Sequence, residues 1–154
     1  MALSTIRIQT DDFDLTEEHA IIRERHHNVG AIASFVGVVR DVNDANGVSS
    51  MTLEHYPGMT EKALTKIVDE AANRWDIIDT TVIHRVGTLF PADQIVLVMV
   101  ASSHRRHAFE ACEYIMDFLK TEAPFWKKET TPSGTHWVDA RSSDMSVLKR
   151  WTTK

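Results

Sequence analysis

Residues 94–121 read QIVLVMVASSHRRHAFEACEYIMDFLKT and combine a strand pattern, a sharp turn and a helix pattern. The first eight of these residues are apolar on both faces, which predicts a strand over 94–101 that is covered on both sides. Ser102 or Ser103 can cap a helix that continues to about Thr121, because apolar residues then recur at helical spacing. A doubly covered strand followed by an amphipathic helix predicts a domain in which helices pack on a sheet.

Short strands and helices alternate irregularly along the rest of the chain. Strand patterns cover 3–9, 31–40, 51–56 and 80–86, helix patterns cover 16–25 and 60–75, and short strand-like pieces with one short helix follow in 125–151. Thr16 and Thr60 are the predicted N-caps of the two helices. The pair Asn46-Gly47 is a strong turn signal, so residues 31–56 are predicted to form a long antiparallel hairpin. The pattern as a whole predicts an α+β fold with a mainly antiparallel sheet and packed helices.

Length, charge and cysteine content narrow the class of protein. The chain has 154 residues, which suits one domain over 1–154. Its 17 Lys and Arg against 22 Asp and Glu give a net charge of −5, which disfavours a nucleic-acid partner. The single cysteine, Cys112, excludes an internal disulfide framework. The longest apolar run is far shorter than the roughly 20 residues of a membrane helix, so we expect a cytoplasmic protein without a membrane partner.

The segment Ser103-His104-Arg105-Arg106-His107 places cations where a helix begins. A helix N-terminus attracts anions and is an unfavourable place for cations, so this segment predicts a bound phosphate or carboxylate. A solvated basic turn balanced by acidic neighbours is the alternative. A third interpretation is a metal site formed by His104, His107 and Glu110, which recur every three residues.

A second basic cluster, Lys120, Lys127 and Lys128, surrounds Pro124-Phe125-Trp126. Aromatic side chains beside the ammonium group of Lys127 suit a planar heterocyclic anion, with a lysine at the rim of the domain as the alternative. Lys120 by itself is unremarkable, because it extends the polar face of its helix and can pair with Asp117. His104 and Lys120 lie 16 residues apart on one helix, about 24 Å at the usual rise, so one small ligand cannot touch both. The sequence therefore predicts two separate sites, or one pocket that a second copy of the chain completes.

Several segments together carry a resemblance to a known family. They are Met51-Thr-Leu-Glu-His-Tyr-Pro-Gly-Met-Thr-Glu-Lys62, Gly30-Ala31 through Val39-Arg40, Ser103-His104-Arg105, Ala108-Phe109-Glu110-Ala111, and Leu119-Lys120-Thr121 through Pro124-Phe125-Trp126-Lys127. With these segments, which follow one another in the family's order from about residue 30 to 141, the sequence resembles the large subunit of molybdopterin synthase. The resemblance implies an α/β hammerhead fold with additional strands.

The resemblance also implies an activity and its partners. The family is a sulfurtransferase of molybdenum cofactor biosynthesis that converts cyclic pyranopterin monophosphate into molybdopterin by building its dithiolene. The sulfur comes from the C-terminal Gly-Gly thiocarboxylate of a small ubiquitin-like subunit. Two large subunits form a central homodimer, and one small subunit at each end completes a heterotetramer. No resident cofactor or metal is implied, and an external sulfur donor requires no reactive cysteine.

The family's site residues transfer to this sequence position by position. Lys120 and Lys127 match the two active-site lysines, of which Lys120 would lie beside the thiocarboxylate and Lys127 beside the pterin. Arg40, His104 and Arg105 match the residues of the substrate pocket. Arg141 matches a further basic position, and Lys128 stands where the family commonly has Arg, which binds oxyanions in a bidentate way that an ammonium cannot copy. The alternative function is a non-enzymatic dimeric module that binds a phosphorylated heterocycle.

Overall fold

The computed structural model describes residues 2–40, 42–43, 46–47, 50–131, 134–138 and 147–151. The strands are β1 (Leu3–Gln9), β2 (Ala31–Val38), β3 (Val42–Asn43), β4 (Asn46–Gly47), β5 (Ser50–His55), β6 (Asp79–Arg85), β7 (Gly87–Leu89), β8 (Gln94–Ser102), β9 (Phe125–Thr131) and β10 (Gly134–Val138). The helices are α1 (Leu15–Arg25), α2 (Met59–Arg74), α3 (Arg105–Glu122) and a C-terminal 3-10 helix (Val147–Trp151). None of the helices in this described part combines the length and apolar character that crossing a membrane requires.

Two four-stranded sheets organise the described residues. The first has the order β1-β6-β8-β2, in which only β1 and β6 run parallel. The second has the order β10-β9-β5-β7 and is antiparallel throughout. The predicted α+β class with a mainly antiparallel sheet is therefore confirmed.

Strand β8 forms the centre of the core, as its sequence predicts. Val96, Val98 and Val100 are buried on the face that α2 and α3 cover. The alternate residues Leu97 and Met99 are buried on the opposite face, in the cluster to which Ile22 of α1 belongs. Because both faces are covered, the strand is apolar at successive positions instead of alternating.

The predicted hairpin over 31–56 is wrong. Strand β2 pairs with β8 in the first sheet, whereas β5 pairs with β7 and β9 in the second. Asn46-Gly47 is strand β4, which pairs with β3 in a short two-stranded ribbon. A turn signal reports only local geometry, and it does not decide which of several strands pairs with β2.

Gly37 lies at an irregular and closely packed point of β2. The register of β2 on β8 shifts between Gly37 and Val38, and a Cβ on Gly37 would lie 2.8 Å from Val96 Cγ1. That distance is below van der Waals contact. A glycine inside an apolar strand is typical of both features, a bulge and a close approach by a neighbour.

The N-caps of the first two helices differ from the predicted ones. The carboxylate of Asp14 accepts from a backbone N–H of the first turn of α1, so Asp14 is the cap and Thr16 lies inside the helix. In α2 the cap is Gly58, whose N–H donates to Glu61 Oε1 at 2.8 Å. Thr60 is buried inside this helix instead, because its hydroxyl donates to the carbonyl of Pro124 at 2.9 Å. A tertiary contact thus replaces the local capping bond that the sequence suggested.

Candidate active site

The β8–α3 turn presents two exposed cationic residues, His104 and Arg105, which we call the helix-start cluster. His104, not Ser102 or Ser103, is the N-cap of α3. The hydroxyl of Ser102 nevertheless shapes the turn, because it accepts from the N–H of His104 at 3.1 Å and donates to the carbonyl of Asp76 at 2.6 Å. The first turn of α3 contains no acidic residue, so the helix start keeps the positive character that suits an anion.

Gly30 holds the start of β2 against this turn, a role that the sequence alone did not reveal. Its N–H donates to the carbonyl of Ser102 at 2.9 Å. A Cβ at this position would lie only 2.5 Å from the carbonyl oxygen of Ser103. The backbone of β2 can therefore approach the helix-start cluster only because residue 30 has no side chain.

The other two basic residues of this segment are engaged elsewhere. Arg106 lies 3.4 Å from Glu110 in an exposed ion pair one helical turn away. The Nδ1 of His107 accepts from the N–H of Asp76 at 3.0 Å, and Glu110 also accepts from the indole N–H of Trp75 at 3.1 Å. Within the described residues, no group of three or more His, Cys, Asp and Glu side chains is placed to share a metal ion.

The opposite end of α3 carries Lys120, which is exposed in the last turn. Strand β9 begins shortly after it at Phe125, whose ring stacks on that of His84 with centroids 3.8 Å apart and planes 18° apart. Lys127 lies two residues beyond Phe125, on the same face of the second sheet because side chains alternate along a strand. We call Lys120, Lys127, His84 and Phe125 the lysine end of the site.

His84 is the member of this group that belongs to the first sheet, in the strand predicted over 80–86. It is buried to 5% exposure, and its Nδ1 lies 2.8 Å from the carbonyl oxygen of Arg85. The pKa of His84 is lowered to about 4, chiefly by burial, and the charges of Lys120 and His55 act in the same direction. The imidazole is therefore uncharged at neutral pH, although it lies close enough to Lys120 to respond to its charge.

Lys128 and Trp126 occupy the opposite face of the second sheet. Lys128 pairs with Thr52 across to β5, and Trp126 pairs with Glu54. Trp126 lies 6.1 Å from Tyr56, centroid to centroid, and is 45% exposed. The aromatic residue on the Lys127 face is therefore Phe125, and the structure does not bring Lys128 to that face.

Arg40 and the helix-start cluster lie at opposite ends of the first sheet in the same chain. Strand β2 runs antiparallel to β8, with Ala31 opposite Ser102 and Val38 opposite Gln94. Arg40 follows the far end of β2 and is exposed. Arg141, the remaining predicted site residue, lies outside the described residues.

Cys112, on the apolar face of α3, is unsuited to nucleophilic chemistry. The thiol is buried and points toward the carbonyl of Val98, 3.6 Å away. Burial raises the pKa of Cys112 to about 12, with a smaller contribution from the charge of Glu113. Because the thiolate is the reactive form, this side chain stays inert at neutral pH.

The fold and the site define a class of protein, and comparisons with known proteins narrow it to a family. The class is an α+β protein in which one helix carries exposed cationic residues at both ends, an arrangement suited to an anionic substrate. The model of the MoaE protein family matches residues 8–122. The chain belongs to this family.

Individual relatives agree with this assignment over nearly the whole chain. The molybdopterin synthase catalytic subunit of Ralstonia nicotianae is 64% identical over 97% of this chain and 85% of its own length. The subunit of the same name from Escherichia coli is 54% identical over 98% of this chain and 100% of its own. Among solved structures, the molybdopterin biosynthesis MoaE protein from Burkholderia ambifaria covers 100% of both chains at 60% identity, with a TM-score of 0.84.

Proposed function

We propose that this chain performs the reaction of a molybdopterin synthase catalytic subunit. It transfers two sulfur atoms to cyclic pyranopterin monophosphate, one from each of two C-terminal thiocarboxylates of the small ubiquitin-like subunit, and forms the dithiolene of molybdopterin. Each donor is left with an ordinary C-terminal carboxylate after hydrolysis of its acyl group. The observation that carries this proposal is the identity of 64% over 97% of the chain with a relative that bears this name. The two cationic ends of α3 support it, because the substrate carries a phosphate and the sulfur donor ends in an anion.

Lys120 and Lys127 are the proposed catalytic residues. Lys120 faces the incoming thiocarboxylate and Lys127 the pterin, and both ammonium groups stabilise the negative charge that develops on oxygen as sulfur attacks. Lys120 is exposed at the end of α3, where a partner's C-terminal tail can reach it. A proton transfer by Lys120 during the sulfur step is part of the proposal.

The remaining basic residues are proposed to hold the substrate. His104 and Arg105 bind the phosphate at the start of α3, where backbone N–H groups add to their charge. Arg40 and Arg141 contribute further positive charge to the pocket. Lys128 contributes less to the proposed pocket, since it lies on the sheet face opposite to Lys127.

A homodimer brings the two ends of α3 into one pocket. In a single chain the helix-start cluster and Lys120 are separated by the length of the helix, about 24 Å. Strand β2 is an edge of the first sheet, and its Phe35 and Val38 are 42% and 48% exposed. Phe109, on the neighbouring helix α3, is 66% exposed. An uncovered edge strand beside exposed apolar side chains suits a second copy of the chain.

The proposal also covers the assembly of the chain and its location in the cell. The chain forms one large-subunit domain over 1–154, two copies form the dimer, and one small subunit at each end gives a heterotetramer. The proposed location is the cytoplasm. No nucleic acid and no membrane take part.

A single-turnover assay tests the activity. Purified chain is mixed with cyclic pyranopterin monophosphate and thiocarboxylated small subunit, and the dithiolene product is quantified. The wild-type chain yields product, and Lys120→Ala loses at least about 100-fold in rate because a charge-stabilising group is gone. Lys66→Ala, which removes an exposed lysine from α2, serves as the matched control and keeps the wild-type rate. Substrate binding without product in the wild type would favour the non-enzymatic binding module.

Mixed dimers test whether the pocket is shared. Lys120→Ala and His104→Ala chains are each purified, then mixed, dissociated and reassociated with an excess of substrate and donor. If each pocket takes Lys120 from one chain and His104 from the other, a mixed dimer contains one intact pocket and one doubly altered pocket. Activity then returns to about one quarter of the wild-type value, because half of the dimers are mixed and each has one working pocket of two. A mixture no more active than its components would contradict the shared pocket.

A further inference from the structure

We propose that His84 is a positioning residue for the two lysines, acting through its stack on Phe125. This inference rests on the proposed function, because it assigns a role in organising the lysine end. The ring of His84 holds the start of β9, and with it Lys127, in a fixed place relative to the end of α3 that carries Lys120. His84 itself transfers no proton and contacts no substrate.

The stack joins a strand of the first sheet to the start of a strand of the second sheet. His84 belongs to β6 in the first sheet, on which α3 packs, whereas Phe125 opens β9 in the second sheet. The two rings are nearly parallel at 18°, with centroids 3.8 Å apart. Lys120 precedes Phe125 by five residues and Lys127 follows it by two. A shift of Phe125 would therefore move the strand segment that carries Lys127 relative to the end of α3 that carries Lys120.

The orientation of the imidazole is fixed by its backbone contact. A carbonyl oxygen only accepts hydrogen bonds, so the 2.8 Å contact between Nδ1 and the oxygen of Arg85 places the ring proton on Nδ1. The charged groups that act on this ring are Lys120 from α3 and His55 from β5, and both oppose its protonation. An uncharged ring supports the stack without adding a third cation beside two lysines that must attract anions.

Ile83 provides a control within the same strand. Its side chain is fully buried, but it points to the opposite face of the first sheet, into the cluster formed with Ile22 and Phe13. Truncating Ile83 weakens the core without touching the His84–Phe125 stack. A purely structural role for His84 predicts that the two truncations affect turnover alike.

The experiment compares His84→Ala, His84→Phe, Phe125→Leu and Ile83→Ala in a steady-state version of the assay, in which the pterin substrate is varied and the thiocarboxylated small subunit is in saturating excess over the enzyme. We expect His84→Ala and Phe125→Leu to lose about tenfold or more in kcat with KM within about twofold of wild type, because misplaced groups slow the chemistry. His84→Phe keeps an aromatic ring and retains kcat within about threefold, with an unchanged pH profile. Ile83→Ala keeps the wild-type kcat. Phe125→Leu changes a half-buried residue and provides the same test should His84→Ala not fold.

A second measurement does not depend on turnover. The rates at which Lys120 and Lys127 are reductively methylated are followed by mass spectrometry in each variant. Both rates change in His84→Ala and Phe125→Leu and stay at the wild-type value in His84→Phe and Ile83→Ala. These rates distinguish the two possible failures. If the proposed sulfur transfer is wrong, the wild type forms no product but the variants still differ in their methylation rates. If the positioning role is wrong, the methylation rates do not differ.

Three results would overturn the inference. Equal kcat in His84→Ala and Ile83→Ala would reduce His84 to a core residue. A His84→Phe variant as slow as His84→Ala would show that the imidazole takes part in the chemistry itself. Methylation rates that are identical in all variants would show that the stack does not place the lysines.

Discussion

The imidazole of His84 makes the stability of the whole fold depend on pH. In the folded chain burial lowers its pKa to about 4, whereas an unfolded chain restores the ordinary value of 6.5. Between these two values the unfolded state binds a proton that the folded state does not. The free energy of unfolding therefore falls as the pH drops from 6.5 toward 4, and it is insensitive to this residue above that window.

A variant without this group isolates its contribution. Between pH 7 and pH 5 the wild type should lose about 2 kcal/mol more of its unfolding free energy than His84→Phe does. Urea titrations of both proteins at the two pH values measure the difference, and the other histidines cancel because both proteins carry them. Parallel losses in the two proteins would contradict an uncharged, buried His84.

The sequence predicts the burial and contacts of some residues but not of others. Cys112 falls on a stripe of apolar residues at helical spacing, so its burial and low reactivity follow from local pattern. His84 lies in the strand sequence DTTVIHR, which contains no sign of its contact with Phe125. That contact joins two sheets across a large separation along the chain. Lys120 carries no local signal either, and only the family resemblance singled it out.

Among the strands, β2 depends on a glycine at the position just before its start. The carbonyl oxygen of Ser103 occupies the space that a Cβ on Gly30 would need, at 2.5 Å. Gly30→Ala should therefore push the start of β2 away from the turn that holds His104 and Arg105. We expect a loss of about 1–3 kcal/mol in unfolding free energy and weaker binding of the phosphate-bearing substrate.

Gly37→Ala is the matched control for this change. Gly37 lies in the same strand, but the atom that a Cβ would meet belongs to a side chain, Val96 Cγ1, at the other end of the strand. The Gly37→Ala change should lower the unfolding free energy without weakening substrate binding selectively. Calorimetric titration with cyclic pyranopterin monophosphate separates the two variants, and equal affinities would show that Gly30 does not position the helix-start cluster.

Whole helices and strands were predictable where one apolar pattern decides them. The strand over 94–101 and the helix ending near Thr121 match β8 and α3 within a few residues, because burial on a core imposes the period. The hairpin over 31–56 failed because strand pairing is decided by distant partners that a local turn signal does not report. The predicted helix caps were wrong for a related reason. Thr60 binds the carbonyl of Pro124 instead of its own helix.

The C-terminal 3-10 helix joins the two longest described helices through one aromatic side chain. The ring of Trp151 lies 5.6 Å from Trp75 at the end of α2 and 5.3 Å from Tyr114 of α3, edge to face in both pairs. Its indole N–H donates to Asp117 at 2.6 Å. The guanidinium of Arg74 donates to the Trp151 carbonyl at 3.1 Å and lies 5.9 Å from its ring centroid. Ring packing, the indole hydrogen bond and the cation–π contact thus hold the side chain of Trp151, and the bond from Arg74 holds its backbone.

Replacing Trp151 should therefore loosen the packing of α2 against α3 and lower the stability of the whole fold. Trp151→Ala removes the ring and the indole bond together and should lower the unfolding free energy by about 2–3 kcal/mol. Trp151→Phe keeps the edge-to-face packing and loses only the bond to Asp117, which should cost about 1–2 kcal/mol. Urea denaturation measures both losses, and hydrogen exchange at Tyr114 and its helical neighbours locates them. If Trp151→Ala unfolded at the wild-type urea concentration, the C-terminal contact would add nothing to the fold, and the helices would owe their packing to the core between them alone.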